Sequence, residues 1–111
     1  LKRGGALVCS MEHPVFTASG PQDWDYAPDG TIRHFPVDRY FEEGEREAIF
    51  LGECVIKYHR TLTTIVGALF ASGMRLTGLV EPQPPEDMLD LPGMRDEMRR
   101  PMMLLLSAEK A

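Results

Sequence analysis

The sequence is short of basic charge, of cysteine and of long apolar runs, and each shortage closes off a class of function. Twelve Lys and Arg stand against 17 Asp and Glu, a net charge of −5, whereas a nucleic-acid footprint needs a clustered basic face. No apolar window approaches the about 20 residues of a membrane span, and nothing resembles a secretory signal. Neither nucleic acid nor a membrane is expected as a partner, and the cytoplasm is the expected compartment. Two cysteines, Cys9 and Cys54, lie in apolar runs without zinc-ligand spacing, so reduced, buried thiols are expected. The three His add no metal pattern. A phosphate-cradling glycine loop, a nucleophile elbow and internal repeats are also missing.

What remains is an ordinary globular composition, 43% apolar and 26% charged over 111 residues, enough for one domain with a modest core. The run that organises it comes first. Lys2-Arg3-Gly4-Gly5 makes a turn, and Ala6 to Met11 is then almost wholly apolar. Bounded by Gly and Pro, that run predicts a strand buried on both faces, the kind found in parallel sheets flanked by helices. It stops at Glu12-His13-Pro14, placing an acid and an imidazole at a carboxyl end, where open α/β sheets take ligands. A buried strand with nothing before it to pair with reads as the second half of a larger fold.

Residues 15–36 predict irregular loop, aromatic enough (Phe16, Trp24, Tyr26, Phe35) either to pin itself to the body or to cover a pocket. Val37–Phe41 and Ala48–Tyr58 predict an antiparallel hairpin around a solvated acidic turn, Glu42 to Glu47. Leu62, Ile65, Val66, Leu69 and Phe70 form one helical stripe, capped by Thr61 or Thr63 and ended at Gly73. Met74 to Glu81 predicts a strand, which with the helix completes a right-handed crossover from the opening strand. Short helices follow at Glu86–Leu91 and Met94–Arg100, and a last strand at Met102–Ala108.

Taken in order, these residues resemble class I S-adenosylmethionine-dependent methyltransferases. Leu1-Lys2-Arg3-Gly4-Gly5-Ala6-Leu7-Val8 is similar to the lead-in to their fifth strand, and Ser72-Gly73-Met74-Arg75-Leu76 to their helix-to-strand passage. Glu81-Pro82 resembles the end of their sixth strand, and Arg100-Pro101-Met102-Met103-Leu104 the approach to their last. Glu12-His13-Pro14 and Tyr58-His59-Arg60-Thr61-Leu62 are similar to a bacterial small-molecule subgroup. The resemblance implies an α/β fold: residues 1–111 as the carboxyl-terminal part of a Rossmann-like methyltransferase domain, carrying a hairpin and loop insertion over 15–60. Its three strands would pair in the order first, last, middle, with the last antiparallel. It implies S-adenosylmethionine as cofactor, bound by residues preceding Leu1, so that this chain alone would bind it poorly and be inactive.

His13 and Glu12 are the candidate catalytic residues, with His13 able to take a proton from an acceptor hydroxyl or amine; against that, His13 would be a strand-end residue bonded to backbone and Glu12 a turn carboxylate. Tyr58, His59, Arg60 and Trp24 are candidates for binding a small-molecule acceptor. Against that, His59 and Arg60 would staple the insertion to the body and Tyr58 would pack in the core. His34 is expected on an exposed loop, and Glu81 is a weaker candidate. Two functions fit: the acceptor side of a methyltransferase, or an inactive remnant that self-associates. In either, the open edge of Ala6–Met11 predicts a homodimer by strand pairing, or one by exchange of the hairpin.

Overall fold

The computed structural model describes residues 2–111; Leu1, which opens the glycine-containing lead-in, lies outside the described residues. In chain order the elements are β1 (Ala6–Glu12), α1 (Pro14–Thr17), β2 (Asp25–Tyr26), β3 (Ile32–His34), β4 (Gly44–Phe50), β5 (Glu53–His59), α2 (Leu62–Ala71), β6 (Met74–Val80) and β7 (Met103–Lys110). Short 3-10 helices at Glu86–Met88 and Arg95–Arg99 lie between β6 and β7.

The main sheet has the order β1-β7-β6, with both ladders antiparallel. That is the pairing the family resemblance implies: the last strand lies between the other two and runs against them. β7 carries the core on one face, where Leu104, Leu106 and Ala108 are buried. Met11, Cys9 and Leu7 stand opposite these three on β1. The bulge at Thr77 in β6 brings Gly78 so close to Ser107 that a Cβ there would lie 2.7 Å from the hydroxyl oxygen. A side chain there would displace the Ser107 hydroxyl from its bond with Thr77.

β1 corrects one expectation. It is not buried on both faces: its residues alternate between exposed and half-buried, and Val8 is 78% exposed. An apolar run records what a strand can bury; the cover on each face decides what it does bury. Among the described residues α2 packs on β6, and no element has extensive contact with β1 except β7. The thiols depart from expectation for the same reason, with Cys9 half-buried on β1 and Cys54 exposed on β5.

α2 forms as its stripe predicts. Thr61 caps it, accepting from the Thr64 N–H at 3.2 Å, and Gly73 turns the chain out at φ 75°. Leu62, Ile65, Val66 and Leu69 are half-buried, whereas Phe70 points to solvent.

The hairpin is displaced from where the sequence places it. Its strands are β4 and β5, joined by Leu51-Gly52 with φ of 51° and 81°. Two positive φ values in a two-residue link make the mirror-image turn that suits the twist of paired strands. Residues 37–41 therefore form no strand, and most of the acidic run is not a turn: Glu45 and Glu47 lie on the outer side of β4, alternating with the buried Arg46 and Ala48. The aromatic loop also contains structure, the four-residue helix α1 and the β2–β3 ribbon. With a radius of gyration of 16.4 Å, the chain is more extended than the about 13 Å of a closed domain this long.

Candidate functional site

The carboxyl ends of β1 and β6 and the approach to β7 meet at one end of the sheet. The His13 N–H donates to the Met102 carbonyl at 2.8 Å, fastening the end of β1 to the start of β7. His13 also caps α1: its Nδ1 accepts from the Val15 N–H at 3.0 Å, and Pro14 in the first helical position needs no donor partner. The other ring nitrogen, Nε2, lies 2.5 Å from Glu81 Oε2. An Nδ1 that accepts from a main-chain N–H carries no proton, so in the neutral ring the proton sits on Nε2 and is donated to Glu81. His13 is buried, while the Glu81 side chain is 52% exposed.

Glu81 opens onto a cleft of about 280 Å³ walled by Pro82, Gln83 and the run from Glu97 to Pro101. Arg100 forms part of that wall. Its guanidinium pairs with Glu97 at 2.8 Å and lies 4.7–5.1 Å from the ring centres of Trp24, Phe35 and Phe16. Phe16 stacks on Phe35, and Trp24 meets Phe35 edge-on. The Arg100 Nε–H is buried and without a partner among the described residues. A second, apolar hollow of about 220 Å³ adjoins the cleft, sharing Pro82 and Glu97 and adding Pro84, Met94, Met102 and Met103.

The remaining sequence candidates lie elsewhere or are otherwise engaged. Both carboxylate oxygens of Glu12 accept from Lys57 Nζ at 2.9 Å, and Gln22 donates to Oε1, which ties β1 to β5. His59 is fully buried, 0% exposed. Its Nε2 donates to the Tyr40 carbonyl at 2.7 Å, and its Nδ1 faces the Thr17 hydroxyl at 2.7 Å, leaving no open nitrogen. Tyr58 is not in the core: it is 62% exposed on the outer face of the hairpin. Arg60 is exposed and donates to the His59 carbonyl, and His34 is exposed on β3. Trp24 alone of the four binding candidates borders the Arg100 side of the cleft. Sequence reasoning passed over Arg100, whose Arg-Pro pair it took only as the approach to a strand. It also ranked Glu81 low, because nothing local announces a partner 68 residues away.

Neither strand-to-helix passage, Glu12-His13-Pro14 or His59-Arg60-Thr61, contains glycine. The α1 N–H groups are taken by His13, and at α2 the N–H groups of Thr61, Leu62 and Thr64 donate to Glu43, the Tyr40 hydroxyl and the Thr61 hydroxyl. Among the described residues these two helix starts offer no run of adjacent free main-chain N–H groups of the kind that cradles an anionic or dinucleotide-like ligand. Among the described residues there is also no cluster of three or more His, Cys, Asp or Glu able to hold a metal, and no helix is long and apolar enough to cross a membrane.

No protein-family model matches the chain. A solved structure from Listeria monocytogenes, assigned as an S-adenosylmethionine-dependent methyltransferase, superposes with a TM-score of 0.92 at 52% identity, covering 100% of this chain and 50% of that one. A second, an S-adenosylmethionine-dependent methyltransferase from Mesorhizobium loti, gives 0.83 at 37% identity, covering 98% and 50%. A Haemophilus influenzae protein that carries no functional name is 27% identical over 115 residues, 99% of this chain and 44% of its own. The chain thus spans about half the length of the relatives it matches. Strand order, the antiparallel β7 and both superpositions agree: the chain has the fold of one half of these S-adenosylmethionine-dependent methyltransferases and resembles the carboxyl-terminal half of class I enzymes.

Proposed function

We propose that the chain supplies the acceptor side of a cytoplasmic methyltransferase acting on a small molecule, with the methyl donor held by a partner half like the remainder of the Listeria and Mesorhizobium proteins. The observation that carries this reading is the cleft at the strand ends, where Glu81, backed by the buried His13, shares a wall with Arg100. Its volume lies near the lower end of small-ligand sites. Methyl transfer asks two things of an acceptor site: to hold the acceptor in line and to remove its proton. A semi-enclosed cleft with a fixed carboxylate meets both demands. The segment 15–60, whose Phe16, Trp24 and Phe35 rings brace Arg100, acts as its cover.

The test is a fusion in which this chain replaces the matching half of the Listeria protein. With tritiated S-adenosylmethionine and a panel of small phenols, amines and carboxylic acids, label should transfer to at least one acceptor class. A fusion that binds the methyl donor yet methylates none of them would remove the small-molecule reading.

The alternative, a self-associating remnant, is favoured by one observation: the outer edge of β1 is unpaired among the described residues, with Val8 standing out beside it. That reading predicts a homodimer by pairing of β1 with its own copy.

A further inference from the structure

We infer that Glu81 is the group that takes the acceptor's proton, and that His13 is a positioning residue that acts through it. This rests on the acceptor-side reading above. His13 is the more obvious base by residue type, but both of its ring nitrogens are spoken for. Nδ1, the one lone pair a neutral ring offers, is spent on the Val15 N–H, and Nε2 points its proton at Glu81. To serve as base, the buried ring would have to give up the cap of α1. Glu81 has the opposite character. One oxygen is pinned by His13, the other has no side-chain partner among the described residues, and the carboxylate opens into the cleft.

The cations nearby do not compete for it. Arg100 is paired with Glu97, and Arg99 donates to Asp96 and to the Arg33 carbonyl. Lys57 is held by Glu12. Glu81 is therefore a fixed acceptor with one free oxygen, which is the geometry general-base work requires.

The step balances without a further reagent. The O–H or N–H bond of the acceptor breaks, its proton goes to the free oxygen of Glu81, and its electron pair stays on the acceptor atom. That pair then forms the new bond to the methyl carbon of a sulfonium donor as the carbon–sulfur bond breaks, and the sulfur keeps the released pair and leaves as a neutral thioether. An acceptor class follows from the charge. A carboxylate held in the cleft repels an anionic nucleophile and favours a neutral hydroxyl or an amine, so carboxylic acids should be refused.

Two measurements test this, and the first needs no activity. Ring-nitrogen NMR of the 111-residue chain should show neutral His13 protonated at Nε2; a proton at Nδ1 would overturn the assignment. The second uses the Listeria fusion. Glu81→Gln should lower kcat at least about 100-fold, with KM within about threefold. His13→Ala should fall about 30-fold, and His13→Gln, which can still donate to Glu81, should recover to within about fivefold of the unsubstituted fusion. If His13→Gln falls as far as Glu81→Gln, or if carboxylic acids are methylated as well as phenols and amines, the assignment fails. A fusion with no transfer at all counts against the acceptor-side reading, while the NMR result still decides the geometry.

Discussion

Arg46 lies within an acid-rich run and is nonetheless 4% exposed. It has no carboxylate partner among the described residues; its guanidinium donates to the carbonyls of Ala18, Arg39, Glu42 and Glu45. One side chain thereby holds α1's exit, the loop before β4 and β4 itself in register. Arg46→Met would strand those carbonyls at about 1–3 kcal/mol each, offset by relief of a buried charge, so a net loss of roughly 2–4 kcal/mol is expected. A fall in the urea midpoint with an unchanged slope measures it; a midpoint within experimental scatter of the unsubstituted chain would show the carbonyls finding water instead. Nothing in the sequence pointed to Arg46, since its partners are main-chain atoms that only the folded path collects. His13 was legible because it ends an apolar strand before a proline. Its tautomer was not, because that depends on Val15 and Glu81 together.

At the scale of the element, α2 shows local chemistry that the sequence does announce. Periodicity, the threonine cap and the glycine exit were all readable. The third member of the cap, Glu43, was not: its carboxylate accepts from the Thr61 N–H at 2.9 Å from 18 residues upstream. Hydrogen bonding from the Thr64 side chain and the Thr61 N–H holds Glu43 below its ordinary 4.5. A carboxyl lowered in the folded state contributes stability that is complete above pH 4.5 and is lost as pH falls through the lower folded value. Acid titration followed by circular dichroism should therefore show a loss in that range that Glu43→Gln removes. Thr61→Ala should cost about 1 kcal/mol at neutral pH. The β4–β5 turn yields the opposite sign. Leu51 is held at φ 51° and is 88% exposed, so Leu51→Asn should stabilise the chain by roughly 0.5–1 kcal/mol, read as a higher melting temperature. A leucine at that position disguised the turn, and the hairpin was consequently looked for around the acidic run.

For the whole molecule, strand order was legible through the family resemblance, and exposure was not. The same apolar residues that identify β1 as a sheet strand are only half-buried or exposed, because no helix among the described residues packs extensively on them. Two expectations follow. Calorimetry of the isolated chain should detect no micromolar binding of S-adenosylmethionine, since the N–H groups that open α1 and those of Thr61, Leu62 and Thr64 at α2 are engaged; micromolar affinity would mean that a donor seat exists here. Light scattering should give a dimer if the β1 edge pairs with its copy, and Val8→Lys should return it to a monomer. A monomer before substitution would set that reading aside, and a dimer that survives Val8→Lys would point to exchange of the β4–β5 hairpin.

The central place of β7 also governs the order in which the molecule can come into being. Both ladders of the main sheet run through β7, so β1 and β6 have no sheet to join until it arrives. On a ribosome adding roughly 5–20 residues per second, the interval between the emergence of β1 and of β7 is roughly 5–20 s. For that time the apolar run Ala6–Met11 lacks its β7 partner, while the β4–β5 hairpin and α2, whose contacts are local, can already assemble. The nascent chain thus needs a chaperone's cover at β1 until β7, made after every other strand described, has emerged.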